Sequence, residues 1–147
     1  MHRHHVEEWM SAPPIVVSPT TTLEAARCLM EQHHVRRLPV VRDGRLVGII
    51  SYGDLRAAQP SRVTTLSVYE WRALLSQTTI EECMTHSPVT IAPDATTLEA
   101  AQKMLTNKIG GLPVVKGARV VGVITESDLL RLLITDEIRL EELMVGR

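Results

Sequence analysis

Apolar and polar positions follow a set order along the chain, and the order occurs twice. "IVVSP" at 15–19 and "VTIAP" at 89–93 are short apolar runs, each closed by a proline that has no amide to give a sheet. Both predict short strands. "LEAARCLMEQ" at 23–32 places Leu23, Ala26 and Met30 on one face at helical spacing. Thr22, and Thr96 in the second copy, stand where a helix N-cap is needed. "LPVV" at 38–41 and 112–115 predicts a short buried strand. "RDG" at 42–44 predicts a turn, with Gly44 taking a positive φ. "RLVGII" at 45–50 returns as the second strand of a hairpin, and "SYGDL" at 51–55 opens another helix. In the second copy "KGA" at 116–118 replaces the turn. The pattern is β-α-β-β-α, twice: an α/β chain.

A shift of 74 residues lays the sequence on itself. "VEEWM" at 6–10 falls on "IEECM" at 80–84, Pro14 on Pro88, Pro19 on Pro93, and Arg45, Val47, Gly48, Ile50, Asp54 and Leu55 on identical residues. About a third of the aligned positions are identical, as expected of an internal duplication. "LEAA" at 23–26 matches "LEAA" at 98–101 only with a slip of one, which predicts a one-residue adjustment where the second helix begins. The duplication divides the chain into copy 1 (6–59), a linker (60–79), copy 2 (80–135) and a tail (136–147). Pro60 breaks the chain after copy 1. "LSVYEWRALLSQ" at 66–77 then predicts a linker helix with Leu66, Tyr69, Trp71 and Leu74 apolar. One copy alone buries too little surface to be stable, so the two sheets are expected to pack face to face.

Composition narrows the function. A 44% apolar, 22% charged chain of 147 residues is that of a globular protein. The net charge of −1 offers no basic field for nucleic acid. No apolar run approaches the ~18 residues of a membrane span, and "MHRHHVEEWM" lacks a signal peptide's apolar core. Cys28 and Cys83, without ligand spacing, fit a reduced cytoplasm.

The phrase "GIISYGD" at 48–54 returns as "GVITESD" at 122–128. Ser51 and Thr125 stand where a strand turns into a helix. A hydroxyl there caps the helix, and free backbone N–H groups beside it favour an anion. Asp54 and Asp128 lie three residues on, and a carboxylate that accepts two hydrogen bonds suits a ribose diol. The same S-x-x-D pattern is also close to a capping box, which needs no ligand. His2, His4 and His5 form a terminal cluster, and adjacent His33 and His34 point to different helix faces, so no metal site is expected. The acidic pairs of "VEEWM", "IEECM" and a third echo, "LEELM" at 140–144, fit helix-start charge. No nucleophile–base pair or paired catalytic carboxylates can be assembled, so the chain is not expected to be an enzyme.

The two βαββα copies, the "LPVV…GII" hairpins and the closing G-h-h-S/T-x-x-D resemble the cystathionine β-synthase (CBS) domain family over roughly residues 6–135. The tandem resembles a Bateman module, and "LRAAQPSRVTTLSVYEWRALL" resembles the stand-alone bacterial CBS pairs of the acetoin-utilisation type. The resemblance implies a cytoplasmic regulatory sensor for an adenosine-containing ligand: AMP, ADP, ATP or S-adenosylmethionine. Two clefts between the copies would be served by Ser51 and Asp54, and by Thr125 and Asp128. Ile15, Val35, Val89 and Ile109 would flank the adenine, although the same aliphatics suit an ordinary core. Arg36 and Arg37 match phosphate-contacting positions, where a guanidinium fork fits. Copy 2 has Gly110 and Gly111 there instead. The resemblance also implies a homodimer, with Tyr69, Trp71 and Leu75 exceeding the needs of an internal core, and an outside protein target. The alternative is a ligand-free interaction module whose S-x-x-D units only cap helices.

Overall fold

A computed structural model describes residues 3–58 and 67–146. Pro60, Leu66 and His2, singled out above, lie outside them. Copy 1 contributes α1 (Val6–Trp9), α2 (Leu23–His33), the hairpin β1 (Arg37–Arg42) and β2 (Arg45–Ser51), and α3 (Tyr52–Ala57). Then come α4 (Val68–Gln77), a 3-10 turn (Ile80–Glu82) and β3 (Thr85–His86). Copy 2 continues with α5 (Thr97–Asn107), the hairpin β4 (Gly111–Lys116) and β5 (Arg119–Thr125), and α6 (Glu126–Val145). The chain clusters into two compact units. One is Pro14–Pro88 with Ala118–Val120; the other is Met1–Pro13, Val89–Gly117 and Val121–Arg147.

In the first unit β1 and β2 pair antiparallel around the two-residue loop Asp43–Gly44, with Arg42 opposite Arg45. Both loop residues have positive φ, 51° and 77°, as a tight twisted hairpin requires. Leu23, Ala26 and Met30 of α2 are buried with Leu38, Val40 and Ile50 of the hairpin in one core. The second unit repeats this with Ala100, Met104, Leu112, Val114 and Ile124. Thr22 and Thr96 cap their helices, each hydroxyl accepting an N–H three residues on, at 3.1 Å.

The expected leading strands shrink to single parallel bridges, Val17 with Val40 and Ile91 with Val114. Prolines set the limit. Val17 N–H donates to the Pro39 carbonyl at 3.0 Å, and Val41 N–H donates to the Val17 carbonyl at 2.8 Å. The next bonds of a parallel ladder would need amides from Pro19 and Pro39, which have none. Pro93 and Pro113 stop the second copy in the same way.

The slip at "LEAA" leaves no mark on the fold. Both helices start 74 residues apart, directly after their threonine caps. Thr97 takes the place of Leu23, and Leu98 is 66% exposed while Leu23 is 1% exposed. Helix α6 runs through the expected tail to Val145. In α4, Leu75 belongs to the first core and Trp71 packs against it, so of the three linker residues taken as surplus only Tyr69 is left outside.

The compact units do not follow the repeat at its leading ends. "VEEWM" opens copy 1 in the sequence but packs in the unit of copy 2. Val6 N–H donates to the Ala95 carbonyl at 2.9 Å, and Thr97 N–H to the His4 carbonyl at 3.0 Å. Ser11 and Val123 exchange both backbone bonds, at 2.9 and 3.1 Å. The segment around "IEECM" makes the equivalent contacts in the first unit: Ile80 N–H donates to the Thr21 carbonyl at 2.8 Å, Leu23 N–H to the Thr78 carbonyl at 2.9 Å, and β3, just after it, pairs with β2 at Gly48 and Ile49.

Candidate functional site

Each copy brings its share of the predicted residues to one strand–helix turn. In copy 1, Arg37 opens β1 directly opposite Ser51, the last residue of β2. Ser51 is the N-cap of α3. Its backbone N–H donates to Asp54 Oδ2 at 2.8 Å, and Asp54 N–H donates back to Ser51 Oγ at 3.1 Å. Tyr52 N–H donates to the Arg36 carbonyl at 2.7 Å. The amides expected to stay free for an anion are therefore largely taken by the protein itself. Asp54 is half-buried, and its Oδ1 has no partner among the described residues. Arg36 is exposed. Ile15 and Val35 are partly buried against the same core, so they serve packing whatever else they do.

Copy 2 forms the turn differently. Thr125 N–H donates to Asp128 Oδ2 at 2.8 Å, and here the hydroxyl donates too, at 3.1 Å. Arg131, one turn along α6, donates to Asp128 Oδ1. Asp128 is 2% exposed, and both its oxygens are engaged. Copy 1 has Ala57 where copy 2 has Arg131, which explains the difference. Glu126 N–H donates to the Gly110 carbonyl at 3.0 Å, and Val89 and Ile109 pack against the second core. Gly111 opens β4 and is buried.

The glycine of the repeated phrase has a packing role that the sequence reading did not assign. A Cβ on Gly48 would meet Met84 and the Thr85 carbonyl, and one on Gly122 would meet Met10 and the Ser11 carbonyl. The twofold "EEWM"/"EECM" echo was the signal for it.

Other candidates resolve into structure. Trp9 Nε1–H donates to His4 Nδ1 at 3.3 Å, so His4 carries its proton on Nε2 and donates to the Asp136 carboxylate, 3.0 Å away. His5 caps α1 with Glu8. Among the described residues no group of three or more His, Cys, Asp or Glu side chains could hold a metal, and no helix is long and apolar enough to cross a membrane. Cys83 is half-buried; burial pushes its thiol pKa up, and the charges of Glu82 and Asp54 add to the shift.

Residues 6–61 and 80–135 each match the CBS domain family. The chain belongs to that family. As a CBS pair it is 37% identical over 131 residues to a CBS domain-containing protein of Dictyostelium discoideum, covering 88% of this chain and 90% of that one. It superposes on a putative acetoin utilization protein from Vibrio cholerae with a TM-score of 0.77 and 35% identity, over 96% of this chain and 98% of the other. The CBS domain pair of protein MJ0100, in complex with 5-methylthioadenosine and S-adenosyl-L-methionine, gives a TM-score of 0.77 and 31% identity over 92% and 99%. The pair spans only 23% to 46% of the length of several larger relatives, enzymes among them.

Proposed function

We propose that this CBS pair is a regulatory module that binds one of AMP, ADP, ATP or S-adenosylmethionine, and that the turn of copy 1 is the stronger site. The observation that carries the reading is the open Asp54 oxygen, in a chain whose fold matches a CBS pair solved with two adenosine compounds. Asp54 has an acceptor to offer a ribose hydroxyl, and Arg37 stands across the strand pair from Ser51, with Arg36 just before it, for a phosphate. Thr125 and Asp128 spend their capacity on each other and on Arg131, so copy 2 has less to offer. Ile15 and Val35 would flank the base in copy 1, and Val89 and Ile109 in copy 2, where Gly110 stands at the place of Arg36 and leaves room for a ligand. The chain has no catalytic part of its own. It acts in the cytoplasm, where its two free thiols stay reduced, as a homodimer answering to an outside protein target.

A second reading rests on the completeness of both capping boxes: the turns are helix caps, and the pair is an interaction module without a ligand. Thermal melting with the four compounds separates the readings. At about 100 times its Kd a ligand adds roughly 2.7 kcal/mol of stability. No shift with any of the four would leave the caps as caps. A monomeric mass by light scattering would remove the dimer from either reading.

A further inference from the structure

Helix α6 is held along one face. Leu129 packs against the second core, Leu132 is half-buried, and Asp136 accepts the His4 Nε2–H at 3.0 Å. The outer face is bare. Leu130, Ile134 and Ile138 form one row at four-residue steps and Leu140 and Met144 a second, each residue 50% to 78% exposed. From Leu130 to Met144 the rows run about 21 Å along the axis. A monomer rarely shows a contiguous apolar patch beyond a few hundred Å², and a larger one marks an interaction site. Copy 2 does not call for all of this helix: the family match ends at residue 135, and α6 continues to Val145.

The charges on that face say what covers it. Glu137 and Glu141 stand one turn apart between the two rows, exposed and without a partner among the described residues. A surface laid over the rows takes water from these carboxylates, and a carboxylate so covered is costly unless it is paired. The cover must therefore bring cations to that line. A second α6 has none to set there. Arg131 is engaged by Asp128, and Arg139 lies about half a turn round the helix from Glu137.

We infer that the outer face of α6 is the docking surface for the outside protein target, and that the target presents an amphipathic helix with Lys or Arg one turn apart between two apolar rows. The inference rests on the regulatory reading above only for the existence of a target.

Two synthetic helices serve as probes: leucine rows flanking lysines four residues apart, and the same peptide with glutamate for lysine. Calorimetry on the whole chain should find the lysine peptide bound and the glutamate peptide unbound. Glu137→Lys with Glu141→Lys should weaken the lysine peptide about tenfold or more and let the glutamate peptide bind. Glu7→Lys with Glu70→Lys makes the same change of charge on other exposed helices and should leave the lysine peptide's affinity unchanged. Ile138→Ser with Leu140→Ser, at two exposed positions, should weaken it as well, because the rows carry the apolar contact. Equal losses in the two lysine variants, or full affinity in the serine variant, reduce the effect to general charge attraction and overturn the proposal. A dimer by light scattering that the serine variant splits gives the face to a second copy and overturns it too. None of these measurements contains a nucleotide, so they stand or fall apart from melting with the four compounds.

Discussion

Gly48 lies directly beneath Met84: a Cβ at position 48 would stand 2.5 Å from the Met84 Sδ and 2.9 Å from the Thr85 carbonyl oxygen. Gly122 stands in the same relation to Met10 and Ser11, at the same two distances. The thioether can swing aside. The carbonyl cannot, because Thr85 is paired in register with Ile49 and Ser11 with Val123. Gly48→Ala and Gly122→Ala should each cost about 1–3 kcal/mol by overpacking, read as a lower midpoint in urea. Gly53→Ala is the control. It sits in α3 with its nearest neighbour at an ordinary 3.5 Å, and should gain about 0.5–1 kcal/mol. A neutral Gly48→Ala would show that β3 is not held where the pairing places it.

The two helices begin in step despite the displaced "LEAA", and this too can be measured. Leu23→Ala removes a fully buried side chain and should cost about 2–5 kcal/mol. Leu98→Ala removes one that is 66% exposed and should stay within about 0.5 kcal/mol of wild type. Equal costs would restore the one-residue adjustment.

That pair of leucines also shows where the sequence was legible. Periodicity found α2 and the buried trio Leu23, Ala26 and Met30, because a helix that must bury one face repeats it every three or four residues. The two-residue turn was legible because only a few residues tolerate positive φ. Letter identity misled at "LEAA": the fold conserves burial, and Ala100 and Met104 keep the 74-residue step where the leucine does not. The packing of "VEEWM" in the unit of copy 2 was not legible, since which strand a short segment joins is decided by tertiary contacts. At the site, the cap Ser51–Asp54 was readable from spacing. The second partner of Asp128 was not, because Arg131 lies outside the repeated phrase.

Asp54 and Asp128 should therefore separate stability from binding. Asp128→Ala strips a buried carboxylate from Thr125 and Arg131 and should cost about 1–3 kcal/mol of stability. Asp54→Ala loses a half-exposed cap, at the lower end of about 0.5–2 kcal/mol. For adenosine ligands the order reverses, with Asp54→Ala losing more affinity. Calorimetry beside urea unfolding checks both halves; a larger binding loss in Asp128→Ala would move the site to copy 2.

The two thiols should react in sequence. Cys28 is exposed. Burial pushes the Cys83 thiol pKa up, with Glu82 and Asp54 adding to it, so less of it is thiolate at neutral pH. Timed iodoacetamide labelling followed by peptide mass analysis should find Cys28 modified well before Cys83. Equal rates would mean that Cys83 is open to solvent.

Arg36 and Arg37 should discriminate among ligands by phosphate. Arg37 stands across the strand pair from Ser51, and Arg36 precedes it with an exposed side chain. Copy 2 has Gly110 and Gly111 at these places, so Arg36→Gly with Arg37→Gly gives copy 1 the equipment of copy 2. Glycine at a strand start also costs about 0.5–1 kcal/mol of backbone freedom. Arg36→Gln with Arg37→Gln keeps most of each aliphatic stem and removes only the charge. Losing a hydrogen bond to a charged group costs roughly 1.5–3 kcal/mol, or about ten- to hundredfold in affinity. Both double variants should lose that much for AMP and ATP and little for adenosine, which has no phosphate for a guanidinium to hold. The loss should shrink as salt rises, because exposed charges are screened over about 8–10 Å at physiological ionic strength. Equal losses for adenosine and ATP in the glutamine variant would assign the arginines to the fold or the base pocket instead. A loss confined to the glycine variant would trace the effect to the backbone at the start of β1 and take the phosphate role away from both side chains.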